Sequence, residues 1–352
     1  MKKMLAILLC ATMAFSLAAC GSSSSSTSTE TTEEAAEEET EEAEEAETEV
    51  EETADETTET YTVGICQLVQ HDALDAATQG FKDALTEAFG DAVTFNEQNA
   101  QGDSNTCSTI INSFVSADVD LILANATAAL QAAQAGTDTI PILGTSITDY
   151  ATALELDSFD GTVGGNISGT SDLAPLAEQA AMLAELFPDA ETVGLLYCSA
   201  EANSQYQVDN VQAELESLGY TCTQYSFSDS NDIAAVAQSA ADASDVIYVP
   251  TDNTAAANTE IIDNICRPAG VPVIAGEEGI CEGCGVATLS ISYYDIGYIS
   301  GEMAAQILTG EADISTMPIE YAPNVTKEYN AEICEDLGIT VPDDYVAIAT
   351  EE

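Results

Sequence analysis

One histidine and one tight cysteine pair are the residues best suited to covalent or metal chemistry, and neither has a working partner. His71 is the only histidine, which leaves little room for a Ser-His-Asp set, and no Gly-x-Ser-x-Gly elbow presents a serine nucleophile. Cys281-Glu-Gly-Cys284 has the spacing of half a zinc or dithiol site, but no second such pair occurs. A loop disulfide or two reduced thiols suits it better. Carboxylates are too abundant for any two to be singled out as general acid and base. No Gly-x-x-x-x-Gly-Lys-[Ser/Thr] phosphate loop is present. The chain therefore reads as a binder and not an enzyme, with no cofactor and no metal.

Polar residues that could contact a solute recur where strands should end. In the first half these are Gln67, then Asn125-Ala-Thr127, then Thr145-Ser146-Ile-Thr148-Asp149. In the second half they are Ser199-Ala-Glu-Ala-Asn203-Ser204, then Thr251-Asp252-Asn253, then Glu277-Glu278. Each alone suits helix N-capping. Together they suit a site, because open α/β sheets bind ligands outside the carboxyl ends of their strands.

The elements that must carry these residues alternate from Tyr61 onward. Apolar β-rich runs predict strands at Thr62–Leu68, Val93–Gln98, Leu121–Ala124, Pro141–Gly144, Thr192–Tyr197, Thr221–Ser226, Val246–Val249, Val271–Ala275 and Ala287–Ile291. Between them, sets such as Leu74, Ala77, Phe81 and Leu85 repeat at helical spacing. This is a βαβ chain with parallel sheets. The pattern runs twice, separated by an irregular Gly-rich stretch, Gly161-Thr-Val-Gly-Gly-Asn-Ile-Ser-Gly169, so two α/β lobes joined at a hinge are expected. The roughly 290 residues from Tyr61 suffice for two lobes.

The formal net charge is −58, from 63 Asp and Glu against 5 Lys and Arg. Beyond Tyr61 only Lys82, Arg267 and Lys327 are basic, so there is no basic face for nucleic acid. A polyphosphorylated ligand would have to rely on backbone N–H groups and hydroxyls. Tryptophan is absent, leaving any ring stacking to Tyr or Phe. Residues 1–19 have a Lys2-Lys3 start and an apolar run, as an export signal does. They end on Leu17-Ala18-Ala19 before Cys20, which resembles the lipobox of bacterial lipoproteins. That resemblance implies a lipid on the Cys20 sulfur, with an ordinary secretory signal as the alternative. Residues 20–60 then form an acidic Glu/Thr/Ser segment that cannot bury a core and is expected to be a disordered linker.

Several motifs agree in order and spacing with one family. Val63-Gly-Ile-Cys-Gln-Leu-Val-Gln-His-Asp-Ala-Leu-Asp75, Asn99-Ala-Gln-Gly-Asp103, Ala126-Thr-Ala-Ala-Leu-Gln131, Gly165-Asn-Ile-Ser-Gly-Thr-Ser-Asp172, Pro250-Thr-Asp-Asn253 and Tyr293-Tyr-Asp-Ile-Gly297 resemble the bacterial ABC-transporter substrate-binding lipoproteins, and among them the branch for tryptophan and other aromatic amino acids. The resemblance implies a type I periplasmic-binding-protein fold: two Rossmann-like lobes with parallel sheets joined by a three-crossing hinge. It puts the crossings near Gly169–Asp172, Ser292–Tyr293 and Pro318–Tyr321. The first lobe is then 61–170 with 293–319, and the second 171–292 with 320–352. Asp72 stands where the family often has proline, and Thr127-Ala128-Ala129 where it usually reads Thr-Pro-Ala. The CEGC run is not expected of the family.

For a zwitterionic amino acid, Thr127, Ser146 and Thr148 at helix starts are candidates for the carboxylate, and Asp149, Asp252 and Glu277 for the ammonium. Gln67, His71, Ser171, Asn203 and Asn253 complete the candidate ligand set. The implied partners are a small solute, an ABC permease in the cytoplasmic membrane and, through the lipid anchor, that membrane's outer face; a monomer is expected. The competing ligand classes are a nucleoside or a neutral sugar, and the competing function is an exported redox or metal lipoprotein using CEGC.

Overall fold

The computed structural model describes residues 59–349. The leader, Cys20 and nearly all of the acidic linker lie outside the described residues. Thirteen strands follow in chain order: β1 Tyr61–Gln67, β2 Val93–Asn99, β3 Leu121–Asn125, β4 Ile142–Ile147, β5 Ile167–Ser171, β6 Thr192–Cys198, β7 Thr221–Phe227, β8 Val246–Val249, β9 Val273–Ala275, β10 Ala287–Ser290, β11 Glu320–Tyr321, β12 Thr326–Tyr329 and β13 Val346–Ala347.

They form two sheets, ordered β11-β5-β4-β3-β1-β2 and β13-β12-β10-β9-β8-β6-β7. Every residue of β3 and β4 is buried, as in a parallel sheet covered on both faces, where strands become continuous apolar runs. The edge strand β7 is instead exposed or half-buried along its length up to Phe227. Apolar clusters fill both faces of each sheet: Phe114, Ile122 and Leu130 on one face of the first, Phe81, Leu121 and Met303 on the other. In the second sheet the two faces hold Leu196, Ile247 and Ile262, and Leu195, Tyr248 and Ile333.

Three features depart from the sequence reading. The second sheet is not wholly parallel, because β12 runs antiparallel to β10, with Ser290 opposite Thr326. The Gly-rich stretch is not irregular to its end: β5 begins at Ile167, and Gly169, at φ +141, packs where a Cβ would collide with the Gly144 carbonyl oxygen. The chain also leaves the first sheet later than expected. Glu320 and Tyr321 pair with Thr170 and Ser171 of β5, so the third passage between sheets comes at 322–325. The other two passages are 172–175, after β5, and 291–292, after β10.

The helix Tyr293–Leu308 begins at the second passage and packs along the helix Asp72–Phe89. Glycines make the contact possible. A Cβ on Gly297 would strike the Ala77 carbonyl oxygen, and one on Gly80 the Tyr294 carbonyl oxygen. Backbone meets backbone here, with no flexible side chain to yield. Gly297→Ala is therefore expected to destabilise the chain by about 1–3 kcal/mol through overpacking, read as a lower denaturation midpoint with an unchanged slope. An unchanged midpoint would show that the two helices separate freely.

Candidate ligand-binding site

The carboxyl ends of both sets of parallel strands face one another, and a small cavity lies between them. His71, Leu74, Ser146 and Asp172 line it from the first half of the chain, Asn203, Thr251, Asp252, Asn253, Ala256 and Glu277 from the second, and Tyr293 from the passage between them. Its volume is about 10 Å³, room for about one water. A larger pocket of about 320 Å³ opens beyond Asn253. Its walls are Leu68, Val69 and Ala128 on one side and Ala200, Glu201 and Ala257 on the other.

Two hydrogen bonds bridge the halves. His71 Nε2 lies 3.2 Å from Asn253 Oδ1, and Gln207 Nε2 donates to Thr148 Oγ1 at 3.5 Å. Asn253 is oriented by its own amide, which donates to Glu201 Oε2 at 2.7 Å. Its Oδ1 therefore accepts, and His71 Nε2 carries the proton in the bridge. Burial lowers the His71 pKa, which keeps the ring neutral.

Three carboxyl groups are buried in the cavity wall. Asp252 accepts from the Cys198 and Ala255 N–H groups at 2.6 and 2.8 Å, and Glu277 from Gly279 and Ile280 at 2.7 and 2.6 Å. Both cap short helices. Burial pushes Asp252 up to about 8, helped by the Glu201 charge, and pushes Glu277 up to about 7. The third, Asp172, accepts from Tyr293 Oη at 3.0 Å. Burial raises it to about 6 against the lowering effect of the Thr148 and Tyr293 hydroxyls. Asp172 Oδ1 is buried and has no hydrogen-bond partner. Ser146 Oγ is likewise buried and unpartnered, on a backbone with φ +57, a strained conformation of the kind found at ligand sites.

The cavity thus gathers six of the expected residues: His71, Ser146, Asn203, Asp252, Asn253 and Glu277. The others lie outside its lining. Gln67 donates to Asp75 Oδ1 at 2.6 Å and accepts from Thr78 Oγ1 at 2.7 Å, fixing the start of the first helix. Ser171 Oγ donates to the Thr148 carbonyl at 3.0 Å, bracing the first passage. Asp149 caps the helix Tyr150–Ala153 through the Thr152 N–H at 2.7 Å. Thr127 is the first residue of the helix Thr127–Gly136. Ser146 and Thr148 were expected at helix starts, but Ser146 belongs to β4 and Thr148 precedes the Asp149 cap. Sequence reasoning missed Asp172 and Tyr293. Both stand inside quoted motifs at the passages, which was the available signal.

The CEGC cysteines lie on the helix Glu278–Cys284, buried, with thiols pushed well above the usual range by burial. Redox or metal chemistry needs the thiolate. Among the described residues no group of His, Cys, Asp and Glu is arranged to hold a metal ion.

The family model for ABC transporter substrate binding proteins matches residues 62–352. The chain belongs to that family. It is a solute-binding protein and not an enzyme, with the type I periplasmic-binding-protein fold across two lobes. It is 35% identical over 260 residues to a tyrosine-binding protein of Clostridioides difficile, covering 73% of this chain and 75% of the relative. It is similar to the ABC domain from Streptococcus pneumonia in complex with L-Trp, at 30% identity and TM-score 0.77 over 81% of this chain and 96% of that one. It is also similar to a ligand-free, open substrate-binding protein with adhesive properties from Clostridium difficile, at 34% identity and TM-score 0.64 over 83% and 100% of the two chains.

Because the folded pKa of Glu277 lies above its ordinary value, its protonated form favours the fold. That stability is fully present below the ordinary pKa and is lost as pH rises through about 7. The Tm of the solute-free protein should therefore fall between pH 5 and 8, and Glu277→Gln should flatten the fall. Equal slopes in both proteins would show that Glu277 titrates normally.

Proposed function

We propose that this substrate-binding protein is an extracytoplasmic, lipid-anchored receptor that captures an aromatic amino acid between its lobes and delivers it to an ABC permease. The observation carrying this reading is a buried carboxylate with nothing to pair with. Asp172, whose Oδ1 is buried and unpartnered, lines the cavity with Glu277 and Asp252 and no cation, and the α-ammonium of an amino acid would supply one. Buried charges are stable only when paired. The solute's carboxylate suits the N-terminus of the helix Thr127–Gly136 and the free Ser146 hydroxyl. The pocket beyond Asn253, where Leu68, Val69, Ala128, Ala200 and Ala257 stand among polar residues, has the volume for a ring.

Closure of the lobes supplies the signal that a permease reads. Neither half holds the whole set of contacts, so the closed form gains only through differential affinity. The bridges His71–Asn253 and Thr148–Gln207 belong to that closed arrangement. The higher TM-score to the L-Trp complex than to the open, ligand-free protein, despite lower identity, supports the same view. The relatives named for tyrosine and solved with L-Trp support the ligand class, and Cys20 with its leader supports the anchor.

Titration calorimetry against tyrosine, tryptophan, phenylalanine, a purine nucleoside and a neutral hexose tests the class. Heat is expected from the aromatic amino acids, and heat from the nucleoside or hexose alone would replace the reading. Asp172→Asn should weaken binding by roughly 30-fold or more, as expected for losing one member of a buried charge pair. Affinity should tighten as pH rises through about 6 to 7, with proton release on binding, because the ammonium needs the ionised acids. A pH-independent affinity would mean that no cationic group enters the cavity.

A further inference from the structure

Strand β4 carries an irregularity beside the cavity. Gly144 pairs with Gly169 of β5, but Ile147 pairs with Ser171. Three steps along β4 thus match two along β5, which is the extra residue of a β-bulge, a device that re-aims a side chain. Ser146 lies inside it at φ +57, a left-handed backbone unfavourable for any residue with a Cβ. Such a conformation persists only where its surroundings impose it.

The residues around Ser146 are held one by one. The Tyr150 hydroxyl, from the start of the next helix, donates to the carbonyls of Gly144 in β4 and Thr170 in β5, each at 3.1 Å. It sits in a notch left by two glycines: a Cβ on Gly144 would come within 2.5 Å of that hydroxyl oxygen, and one on Gly169 within 2.6 Å. Thr145 is tied through its carbonyl to the Ala126 N–H at 3.0 Å and through its hydroxyl to Thr170 Oγ1 at 3.1 Å. The Ile147 carbonyl accepts from the Asp172 N–H at 3.2 Å. Between these anchors Ser146 Oγ is buried without a partner, and Ser146 lines the cavity.

We propose that Tyr150 is a positioning residue for solute binding: its hydroxyl holds the bulge that presents the Ser146 hydroxyl to the carboxylate of a bound amino acid. The inference rests on the amino-acid reading above and adds to it the residue that sets the carboxylate end of the site. Tyr150 is itself fully buried and outside the cavity lining, so it acts through the backbone from Gly144 to Ser146. Without the hydroxyl the two carbonyls lose their shared donor and β4 is free to relax toward regular pairing with β5. A one-residue change of register turns a side chain to the other face of its strand, which takes Ser146 away from the cavity. Asp172 keeps its own bond to Tyr293 Oη, so the effect is confined to the carboxylate end. Phenylalanine fills the same space as Tyr150 without the hydroxyl, so Tyr150→Phe separates the hydrogen bonds from the packing.

The test titrates the purified full chain with L-tyrosine in a calorimeter, comparing the unaltered protein, Tyr150→Phe, Ser146→Ala and the double variant. Each single change should weaken binding by roughly 10-fold or more, and the double variant should bind no worse than Ser146→Ala alone. Losses that multiply, as a general loosening of the fold would give, or an unchanged affinity in Tyr150→Phe, would overturn the inference. A second measurement needs no solute. Ser146→Ala removes the hydroxyl, and Ser146→Gly removes the hydroxyl and the strained Cβ, so the glycine variant should melt about 2 °C above the alanine variant. That margin should vanish when Tyr150→Phe is added to both; an equal margin would show that the Tyr150 hydroxyl does not hold this backbone. Absence of heat from L-tyrosine in the unaltered protein would count against the proposed ligand, and the comparison of Tm values would still decide the role of Tyr150.

Discussion

Buried carboxyl groups with no cation beside them are the constraint around which the two lobes are arranged. Asp172, Asp252 and Glu277 are each nearly inaccessible to solvent, yet the ion pairs among the described residues are all made elsewhere. Lys82 pairs with Glu97, Arg267 with Asp263, Glu332 and Asp336, and Lys327 with Glu185 and Asp344. Taking an ion out of water without a counterion is strongly unfavourable. Backbone N–H groups at helix starts offset part of this for Asp252 and Glu277, and protonation offsets the rest, which is why burial raises all three pKa values. Asp172 has one hydroxyl donor and one bare oxygen.

The same acids tie binding to lobe movement. Asp172 and Tyr293 sit at two different passages between the sheets, and their hydrogen bond joins those passages. A charge arriving at Asp172 is felt where the chain must bend. His71 and Asn253, one from each lobe, form the neighbouring contact, with Glu201 holding Asn253 in place. The passages and the cavity wall are thus joined by hydrogen bonds.

The order of elements was legible because parallel sheets leave strong signals. The all-buried runs of β3 and β4 and the helical spacing of Leu74, Ala77, Phe81 and Leu85 depend on local pattern alone. The third passage was misjudged because Glu320 and Tyr321 form a two-residue, exposed strand with no period to read. The antiparallel β12 has only four residues, none of them buried. At the site, sequence located the polar strand ends but could not divide cavity-facing groups from bracing ones. Gln67 and Ser171 look no different from Asn203 or Asn253 until Thr78, Asp75 and Thr148 are seen to occupy them. Asp172 was overlooked because an acid in so acidic a chain carries little information until its burial and bare oxygen are known.

The placement of the basic residues bears on which solutes can enter. Arg267 binds the helix Ala331–Leu337 through Glu332 and Asp336, and Lys327 ties β12 to Glu185. Both are structural clamps outside the cavity, whose lining contains no lysine or arginine. A solute with surplus negative charge would meet repulsion from three acids and attraction only from hydroxyls and helix-terminal N–H groups. On the proposed reading, a zwitterion would place its ammonium at the acids and its single carboxylate toward the start of the helix Thr127–Gly136. Selection against acidic solutes therefore needs no dedicated residue. It follows from a cavity wall that holds Asp172, Asp252 and Glu277 and no lysine or arginine.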